Sequence, residues 1–261
     1  MRELTDILSE VNRKIEAAAR RAHRSPEDVE IIAVTKTHGP DVVREAWEAG
    51  LSIMGENKVQ EAAWKKESSL TGPSWHLIGH LQTNKVRAAL SLFDFIHSVD
   101  SLKLVDRLET VAEELGVNTS ILLELNVSGE KSKTGMNPQE LDETIRALLE
   151  RCPRLTLEGF MTMAPFSENP EDARPYFRRL RELRDETEKR YGLSLPRLSM
   201  GMSGDYEVAI EEGATWVRLG TVLFGERPKL KAVRAASDDE TVGACGLDSY
   251  SGAGPTVKVL D

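Results

Sequence analysis

The stretch Val29-Glu-Ile-Ile-Ala-Val-Thr-Lys36 decides how the rest of the chain is interpreted. Its apolar and largely β-branched residues form a continuous run, which is typical of a strand buried on both faces of a parallel sheet. A Thr-His-Gly-Pro turn follows, and a helix is predicted to begin near Asp41. Lys36 is therefore expected at the carboxyl end of the first core strand, where α/β folds carry their chemistry.

A lysine in that place has two interpretations. A buried ammonium group is costly unless it is paired or unless its amine is used covalently as a Schiff base. Alternatively, the side chain of Lys36 extends to the rim of the fold and only caps it. Position alone does not separate these interpretations, so the decision depends on the remaining sequence.

Strand-like and helix-like patterns alternate along the chain. An amphipathic helix is predicted within residues 3–24, because apolar residues recur there at helical spacing. This order predicts an α/β fold with a single (β/α)8 TIM barrel over residues 1–230, preceded by the N-terminal helix. A doubly wound open sheet is the competing architecture, but it normally uses fewer strands. The eight predicted strands, each followed by a helical segment, are 29–36, 51–57, 75–80, 95–99, 120–127, 156–163, 197–203 and 215–220.

The end of the sequence has a different composition. Residues 231–261 are rich in Ala, Ser, Asp and Gly and show no periodic apolar pattern. Such a segment cannot bury enough apolar surface to offset the entropy of ordering it. A disordered tail is therefore predicted over 231–261.

The composition excludes several classes of function. A net charge of −9 disfavours nonspecific binding to nucleic acid or to an anionic membrane. Neither a signal peptide nor an apolar stretch of transmembrane length is visible, so a cytoplasmic location is expected. Cys152 and Cys245 are far apart and form no metal motif. His76 and His80 would lie about 13 Å apart along one strand, too far to share a metal ion.

Two predicted loops carry small and hydroxylated residues. Strand seven ends in Ser199-Met-Gly-Met-Ser203-Gly204, and strand eight ends in Arg218-Leu-Gly220-Thr221. In barrels of this type, the loops after strands seven and eight often bind phosphate, because backbone N–H groups can approach the anion closely there. Either loop alone is more simply explained as an ordinary turn. Two such loops in one barrel favour a phosphate site.

A lysine and a phosphate site at the same barrel end point to a cofactor that carries both an aldehyde and a phosphate. Lys36 would form the Schiff base, while Ser203, Gly220 and Thr221 would hold the phosphate. Ser199 lies on the same predicted strand face as Ser203 and is a further candidate contact.

Arg218 is expected between these two ends of the cofactor. A guanidinium group has donors only and stays protonated, so against a pyridine nitrogen it would keep that nitrogen unprotonated. Such a ring is a weaker electron sink than one paired with a carboxylate. The alternative is a salt bridge inside the barrel, from Arg218 to Glu56 or Glu124.

Taken together, seven segments resemble the pyridoxal phosphate homeostasis proteins, whose fold is like the barrel domain of alanine racemase. They run in the family's order and cover nearly all of the chain except its tail. The segments are Ala33-Val-Thr-Lys36, Gly55-Glu-Asn57-Lys-Val-Gln60-Glu61, Trp75-His76-Leu-Ile-Gly79-His-Leu81-Gln82-Thr-Asn84-Lys85, Asn126-Val-Ser-Gly-Glu130-Lys-Ser-Lys133-Thr-Gly135, Glu158-Gly-Phe-Met161-Thr-Met163, Ser199-Met-Gly-Met-Ser203 and Val217-Arg218-Leu-Gly220-Thr221.

The resemblance implies a function and a set of site residues. The cofactor would be pyridoxal 5′-phosphate, held as a Schiff base on Lys36, and the protein would buffer or deliver it in intracellular vitamin B6 homeostasis. Apo forms of pyridoxal-phosphate enzymes are the implied partners. Asn57 would line the site, Arg218 would face the ring nitrogen, and the loops after strands seven and eight would hold the phosphate.

An amino-acid racemase or decarboxylase is the alternative function. Racemisation needs a base on each face of the substrate carbon, and Lys36 could serve one face. In alanine racemase the other base is a tyrosine from a separate domain of the partner subunit. No tyrosine of this chain lies at a predicted strand end, and no such domain is predicted after Arg227. The sequence therefore predicts a binding protein without catalytic residues and without a metal.

Overall fold

Eight parallel strands pair in chain order and close into a barrel. The computed structural model describes residues 3–68, 72–130 and 133–225. The first and last strands pair directly, with Glu30 opposite Trp216 and Ala33 opposite Leu219, so the sheet has no open edge. The predicted (β/α)8 barrel is confirmed, and the open-sheet alternative is wrong. The strands are β1 Glu30–Val34, β2 Ile53–Glu56, β3 Ser74–Leu77, β4 Phe95–Val99, β5 Thr119–Glu124, β6 Leu155–Met161, β7 Arg197–Met202 and β8 Trp216–Leu219.

Helices cover the outside of the barrel. The predicted N-terminal helix is confirmed as α1, which packs against the last two helices. Local signals set several helix ends: the Ser101 hydroxyl caps α5 by accepting from the N–H of Leu104, and Gly116 ends that helix in the left-handed conformation. The helices are α1 Leu4–Arg21, α2 Pro40–Glu48, α3 Val59–Ser68, α4 Val86–Leu92, α5 Leu102–Leu115, α6 Leu141–Arg151, α7 Arg174–Tyr191, α8 Tyr206–Glu211 and α9 Thr221–Phe224.

Seven of the eight strands are shorter than the sequence predicts, mainly at their carboxyl ends, whereas β4 has its predicted bounds. β1 ends at Val34, so Lys36 lies in a turn, where Thr37 has a positive φ of 70°. β3 ends at Leu77, which places His80 in a loop beside Asp100. The apolar pattern continues past these points, but the backbone leaves the hydrogen-bonded ladder to form loops. The loops carry the candidate site residues.

The barrel interior has its own apolar cluster, separate from the larger core between the barrel and the helices. Alternate residues of each strand face inward, and this places Trp216 and Arg218 of β8 inside. The interior cluster contains Ile32, Val34, Ile53, Ile78, Phe95, Leu122, Met161 and Trp216.

Further expectations from the sequence concern membrane spans, metal sites, the two cysteines and the tail. Among the described residues, no helix combines the length and apolar character needed to cross a membrane. No cluster of three metal-ligating side chains occurs in the same ranges. Cys152 is a buried thiol, whereas Cys245 and the predicted disordered tail over 231–261 lie outside the described residues.

Candidate cofactor-binding site

A cavity of about 300 Å³ opens at the carboxyl end of the barrel. One wall comes from the turn after β1, and the opposite part comes from the loops after β7 and β8. The structure thus brings together residues from the two ends of the described chain. Six of the seven predicted site residues line this cavity: Lys36, Asn57, Ser203, Arg218, Gly220 and Thr221.

The half-buried Lys36 occupies a turn whose two neighbouring residues are both anchored. The Thr35 hydroxyl donates to Glu56 at 2.5 Å, and the N–H of Thr37 donates to the carboxylate of Glu61. These bonds hold the backbone on either side of Lys36, including the left-handed residue Thr37. The base of the Lys36 side chain is therefore fixed in place beside the cavity.

A second lysine binds the two carboxylates that anchor the turn of Lys36. Lys65 on α3 is fully buried, and its ammonium donates to Glu56 at 2.6 Å, to Glu61 at 2.8 Å and to the carbonyl of Thr35 at 2.7 Å. Three acceptors satisfy the three N–H donors of an ammonium group. Lys65 is thus a structural cation that supports the turn of Lys36. Sequence reasoning missed it, because a Glu61–Lys65 pair four residues apart on a helix is typical of an exposed surface.

Arg218 forms the floor of the cavity and is only 4% exposed. One terminal nitrogen donates to the carbonyl and to the hydroxyl of Ser199, at 2.7 and 2.9 Å, and the other donates to the carbonyl of Thr162 at 2.9 Å. These bonds use three of the five N–H groups of a guanidinium. The other two have no protein acceptor among the described residues, and they belong to a side chain that lines the cavity.

The electrostatic surroundings of Arg218 keep it charged. Burial lowers the pKa of Arg218 to about 10, and the nearby carboxylates of Glu124 and Asp205 oppose this change. A group with a pKa near 10 remains protonated at neutral pH. Arg218 is therefore a buried cation held by neutral acceptors.

The alternative salt bridge of Arg218 does not form within the described residues. Glu56 is engaged by Lys65 on the outer side of the barrel. Glu124 accepts a hydrogen bond from the Thr134 hydroxyl at 2.6 Å, and burial raises the pKa of its carboxyl group. Glu124 acts on Arg218 through its charge without a direct ion pair.

The loops after β7 and β8 meet at the far end of the cavity. The Ser203 hydroxyl accepts a hydrogen bond from the N–H of Val222 at 3.2 Å, which joins the two loops. A Cβ atom at Gly220 would lie 3.3 Å from the carbonyl oxygen of Val34, whereas one at Gly204 would meet nothing within 4 Å. Small residues thus leave space here, and the hydroxyls of Ser203 and Thr221 border it.

Ser199 is the predicted site residue that does not line the cavity. It is completely buried on β7, beneath the guanidinium of Arg218. The strand alternation correctly places it on the interior face, but one layer below the ligand space. Its influence on a ligand would pass through Arg218.

A further wall of the cavity comes from the loop after β6. Residues 163–167 line the cavity, and Phe166 within this loop is 95% exposed. Met202 and Met163 are also partly exposed. The mouth of the cavity is therefore bordered by apolar side chains.

Comparisons with known proteins agree with this fold. The family described as "Alanine racemase, N-terminal domain" matches residues 8–228. The chain is 47% identical over 221 residues to the pyridoxal phosphate homeostasis protein of Aquifex aeolicus, covering 84% of this chain and 96% of that protein. The protein of the same name from Pseudomonas aeruginosa is 41% identical over 228 residues, covering 87% and 97%.

A solved structure is also similar. PipY of Synechococcus elongatus, determined with PLP bound, is 36% identical and superposes with a TM-score of 0.74, covering 85% of this chain and all of that one. These relatives match along nearly their full lengths, and the family match spans the whole barrel. The chain therefore belongs to the pyridoxal phosphate homeostasis protein family, and its barrel is that of the alanine racemase N-terminal domain family.

Proposed function

We propose that this protein binds pyridoxal 5′-phosphate in the cavity, holds it as a Schiff base on Lys36, and buffers or delivers it within the cell. One observation carries the proposal: a lysine after β1 lines the same cavity as Arg218 and the small-residue loops after β7 and β8. The similarity to PipY, whose structure contains PLP, supports the choice of cofactor.

The residues present fit this cofactor. The two uncommitted N–H groups of Arg218 suit a ring nitrogen that accepts hydrogen bonds. Ser203, Thr221 and the backbone at Gly220 suit a phosphate group, because hydroxyls and N–H groups donate to its oxygens. Asn57 lines the cavity and can donate or accept from its side wall.

Lys36 supplies the covalent attachment. Its unprotonated amine adds to the aldehyde carbon, and loss of one water molecule leaves a C=N bond between Lys36 and the cofactor. When bound, the cofactor supplies an electron-withdrawing ring. The anchored turn around Lys36 keeps the amine next to the cavity, which reduces the entropy lost on attachment.

Among the described residues, the cavity has no counterpart of the tyrosine base of alanine racemase, which favours a carrier over an enzyme. Within the described residues, no tyrosine lines it. The titratable side chains there, besides Lys36 and Arg218, are His38, two residues along the same turn, and Asp205. Asp205 is engaged by the N–H of Met202 at 2.6 Å. Recipient apo-enzymes and a cytoplasmic location stay predictions from the sequence.

The covalent site can be tested by reduction and peptide mapping. The purified protein, incubated with pyridoxal 5′-phosphate and then with borohydride, should carry the label on Lys36. The Lys36→Ala variant should retain no reducible label, while Lys58→Ala, which removes an exposed lysine near the cavity, should label normally. A label on a different lysine would contradict the assignment.

The carrier role needs a separate assay. Loaded protein mixed with an apo-enzyme that requires pyridoxal 5′-phosphate should activate it faster than an equal concentration of free cofactor does. A panel of L-amino acids should show no exchange of the Cα hydrogen for deuterium above the free-cofactor rate. Rapid exchange that is lost in Lys36→Ala would favour the racemase or decarboxylase alternative.

A further inference from the structure

A chain of hydrogen-bonded side chains runs through the barrel interior, starting at Arg218. Beyond the 2.9 Å bond from Arg218 to the Ser199 hydroxyl, this hydroxyl lies 3.0 Å from Nδ1 of His97. Nε2 of His97 lies 2.9 Å from Nδ1 of His76, and Nε2 of His76 lies 3.1 Å from the hydroxyl of Ser74. We call these five residues, which come from β3, β4, β7 and β8, the axial chain.

The donors of the axial chain can all point in one direction, away from Arg218, which can only donate. Arg218 donates to the Ser199 oxygen, so the Ser199 hydroxyl hydrogen is available for Nδ1 of His97. When the Ser199 hydroxyl donates to Nδ1, neutral His97 carries its hydrogen on Nε2 and donates to Nδ1 of His76. By the same reasoning, His76 carries its hydrogen on Nε2.

The opposite end requires the same direction. His76 donates to the Ser74 oxygen, and the Ser74 hydroxyl lies 3.4 Å from the carboxylate of Asp94. A carboxylate can only accept, and Asp94 also accepts from the N–H of Trp75 at 2.8 Å. The acceptor-only carboxylate of Asp94 thus sets the direction of the axial chain, and with it both histidine tautomers, and the donor-only Arg218 is compatible with that direction.

The histidines must be neutral for this arrangement, and their surroundings keep them so. Burial lowers the pKa of His76 to about 3, with Asp94 opposing and Arg197 reinforcing this change. Burial also lowers the pKa of His97 well below its usual value, and His76 and Arg218 add to the effect. A protonated imidazole has no acceptor, so protonation of His97 would break its bond from Ser199.

The rings of the axial chain are also fixed by packing. Phe95 and Trp216 both contact His76 and His97, with ring centroids 4.9 to 5.2 Å apart. A stacked ring cannot turn without displacing its neighbours. The imidazole ring of His97 is thus held in place by contacts with two aromatic rings.

We propose that His97 is a positioning residue for Arg218. Nδ1 of His97 accepts a hydrogen bond from the Ser199 hydroxyl, and this orients a lone pair of the Ser199 oxygen towards Arg218. The remaining guanidinium donors then point into the cavity. The inference rests on the proposed function, because the ligand group it serves is an aromatic ring nitrogen. Without His97, the Ser199 hydroxyl loses its acceptor and can rotate, and the guanidinium loses one of its three fixed bonds.

Two nearly isosteric substitutions separate positioning from packing. His97→Leu removes the acceptor, whereas His97→Asn keeps an oxygen near the place of Nδ1. Phe95→Leu is the matched control, because it disturbs both rings without touching the hydrogen bonds. The probes are pyridoxal 5′-phosphate and its 1-deaza analogue, which lacks the ring nitrogen.

We expect His97→Leu to weaken binding of pyridoxal 5′-phosphate about tenfold, the size of one lost hydrogen bond. Binding of the 1-deaza analogue should change little, and His97→Asn should restore most of the affinity. The visible absorbance of the bound cofactor should change its pH profile in His97→Leu only. Wild-type affinity and pH profile in His97→Leu would overturn the inference, as would equal weakening of both ligands.

A second measurement needs no ligand. Nitrogen-15 NMR of the unloaded protein should show His76 and His97 as Nε2–H tautomers that do not titrate near neutral pH. An Nδ1–H tautomer at His97 would overturn the axial chain. If the wild-type protein bound no pyridoxal 5′-phosphate, the proposed function would fail, and the ligand role of His97 with it. Normal wild-type binding with an unaffected His97→Leu would overturn the inference alone.

Discussion

The two ends of the barrel each contain an interior arginine, on neighbouring strands, but with different partners. At the amino end, Arg197 of β7 lies 2.7 Å from the carboxylate of Glu30, and its guanidinium lies 4.5 Å from the ring centre of Trp216. At the carboxyl end, Arg218 of β8 is bound by two carbonyls and a hydroxyl and forms no ion pair among the described residues.

This difference shows that the partners of an interior cation decide whether it stabilises the structure or is available to a ligand. A carboxylate and an aromatic ring satisfy Arg197 within the protein, so it acts as part of the structure. Neutral acceptors hold the position of Arg218 and leave its charge and two donors for a ligand. Lys65 follows the first pattern, because two carboxylates and a carbonyl engage its ammonium.

The largest effect on stability should come from removing a buried cation whose partners are carboxylates of the protein itself. Lys65→Met leaves Glu56 and Glu61 without their buried partner, and breaking such a pair typically costs 3–5 kcal/mol, about the stability of a marginal domain. Urea unfolding should show this loss. The double variant Lys65→Met with Glu56→Gln should recover part of it, because the uncompensated charge of Glu56 is removed. An unchanged midpoint in Lys65→Met would contradict the structural role.

Acid should destabilise the protein through the interior histidines. The folded-state pKa of His76 is about 3, below its ordinary value of 6.5, and that of His97 is also lowered. The unfolded chain therefore binds protons that the folded protein does not, so stability falls as the pH decreases from about 6.5 towards 3. Each histidine contributes a slope of about 1.4 kcal/mol per pH unit.

The raised pKa of the buried Glu124 acts in the opposite direction at low pH, since its folded form takes up a proton more readily. Urea unfolding at a series of pH values measures the net slope. His97→Asn should flatten it by about one histidine's share. A pH slope that His97→Asn leaves unchanged would contradict the buried, neutral state of His97.

A smaller effect is expected when hydroxyl groups that border the cavity are removed. Ser203→Ala and Thr221→Val should each weaken pyridoxal 5′-phosphate binding by about 1.5–3 kcal/mol, the size of a charge-assisted hydrogen bond. Binding of unphosphorylated pyridoxal should hardly change. Absorbance titrations with both ligands provide the measurement. Equal weakening of both would mean that these hydroxyls do not contact phosphate.

The smallest effect on binding should come from the arginine at the amino end. Arg197→Met removes a partly exposed ion pair and a contact with Trp216, together about 1 kcal/mol of stability. The affinity for pyridoxal 5′-phosphate should stay within about twofold of wild type. Arg218→Met is the contrasting variant and should weaken binding strongly. If both substitutions weakened binding equally, the division between structural and ligand-directed arginines would be wrong.

Much of the architecture follows from local sequence patterns. The strand order was predictable because each β-branched run is bounded by turn residues and followed by a helical pattern. The same patterns placed Lys36 and the loops of Ser203 and Gly220 at one barrel end, since parallel strands all end on one side. The exact strand ends were not predictable, because apolar residues such as Ile78 continue into the loops.

The hydrogen bonds of His97 and Lys65 could not be predicted from the sequence, for a different reason. His97 and Ser199 are 102 residues apart, and nothing in the run Phe95-Ile-His-Ser-Val99 distinguishes a hydrogen-bonded histidine from any other interior residue. Lys65 has the helical spacing of a surface pair with Glu61, and only the barrel wall behind it makes it buried. Contacts between distant segments depend on closure of the barrel, which a local pattern does not contain.

The seam between β1 and β8 has a consequence for how the protein is made. Glu30 and Trp216 are 186 residues apart, yet they are hydrogen-bonded across the seam. Lys36 lies just after one side of this seam, and Arg218, Gly220 and Thr221 lie on the other. During translation, a nascent chain carries Lys36, the proposed attachment point, long before it carries the residues proposed to bind the ring nitrogen and the phosphate. Incomplete chains therefore lack the closed cavity, and under the proposed function the capture of cofactor would be confined to chains synthesised through the last strand.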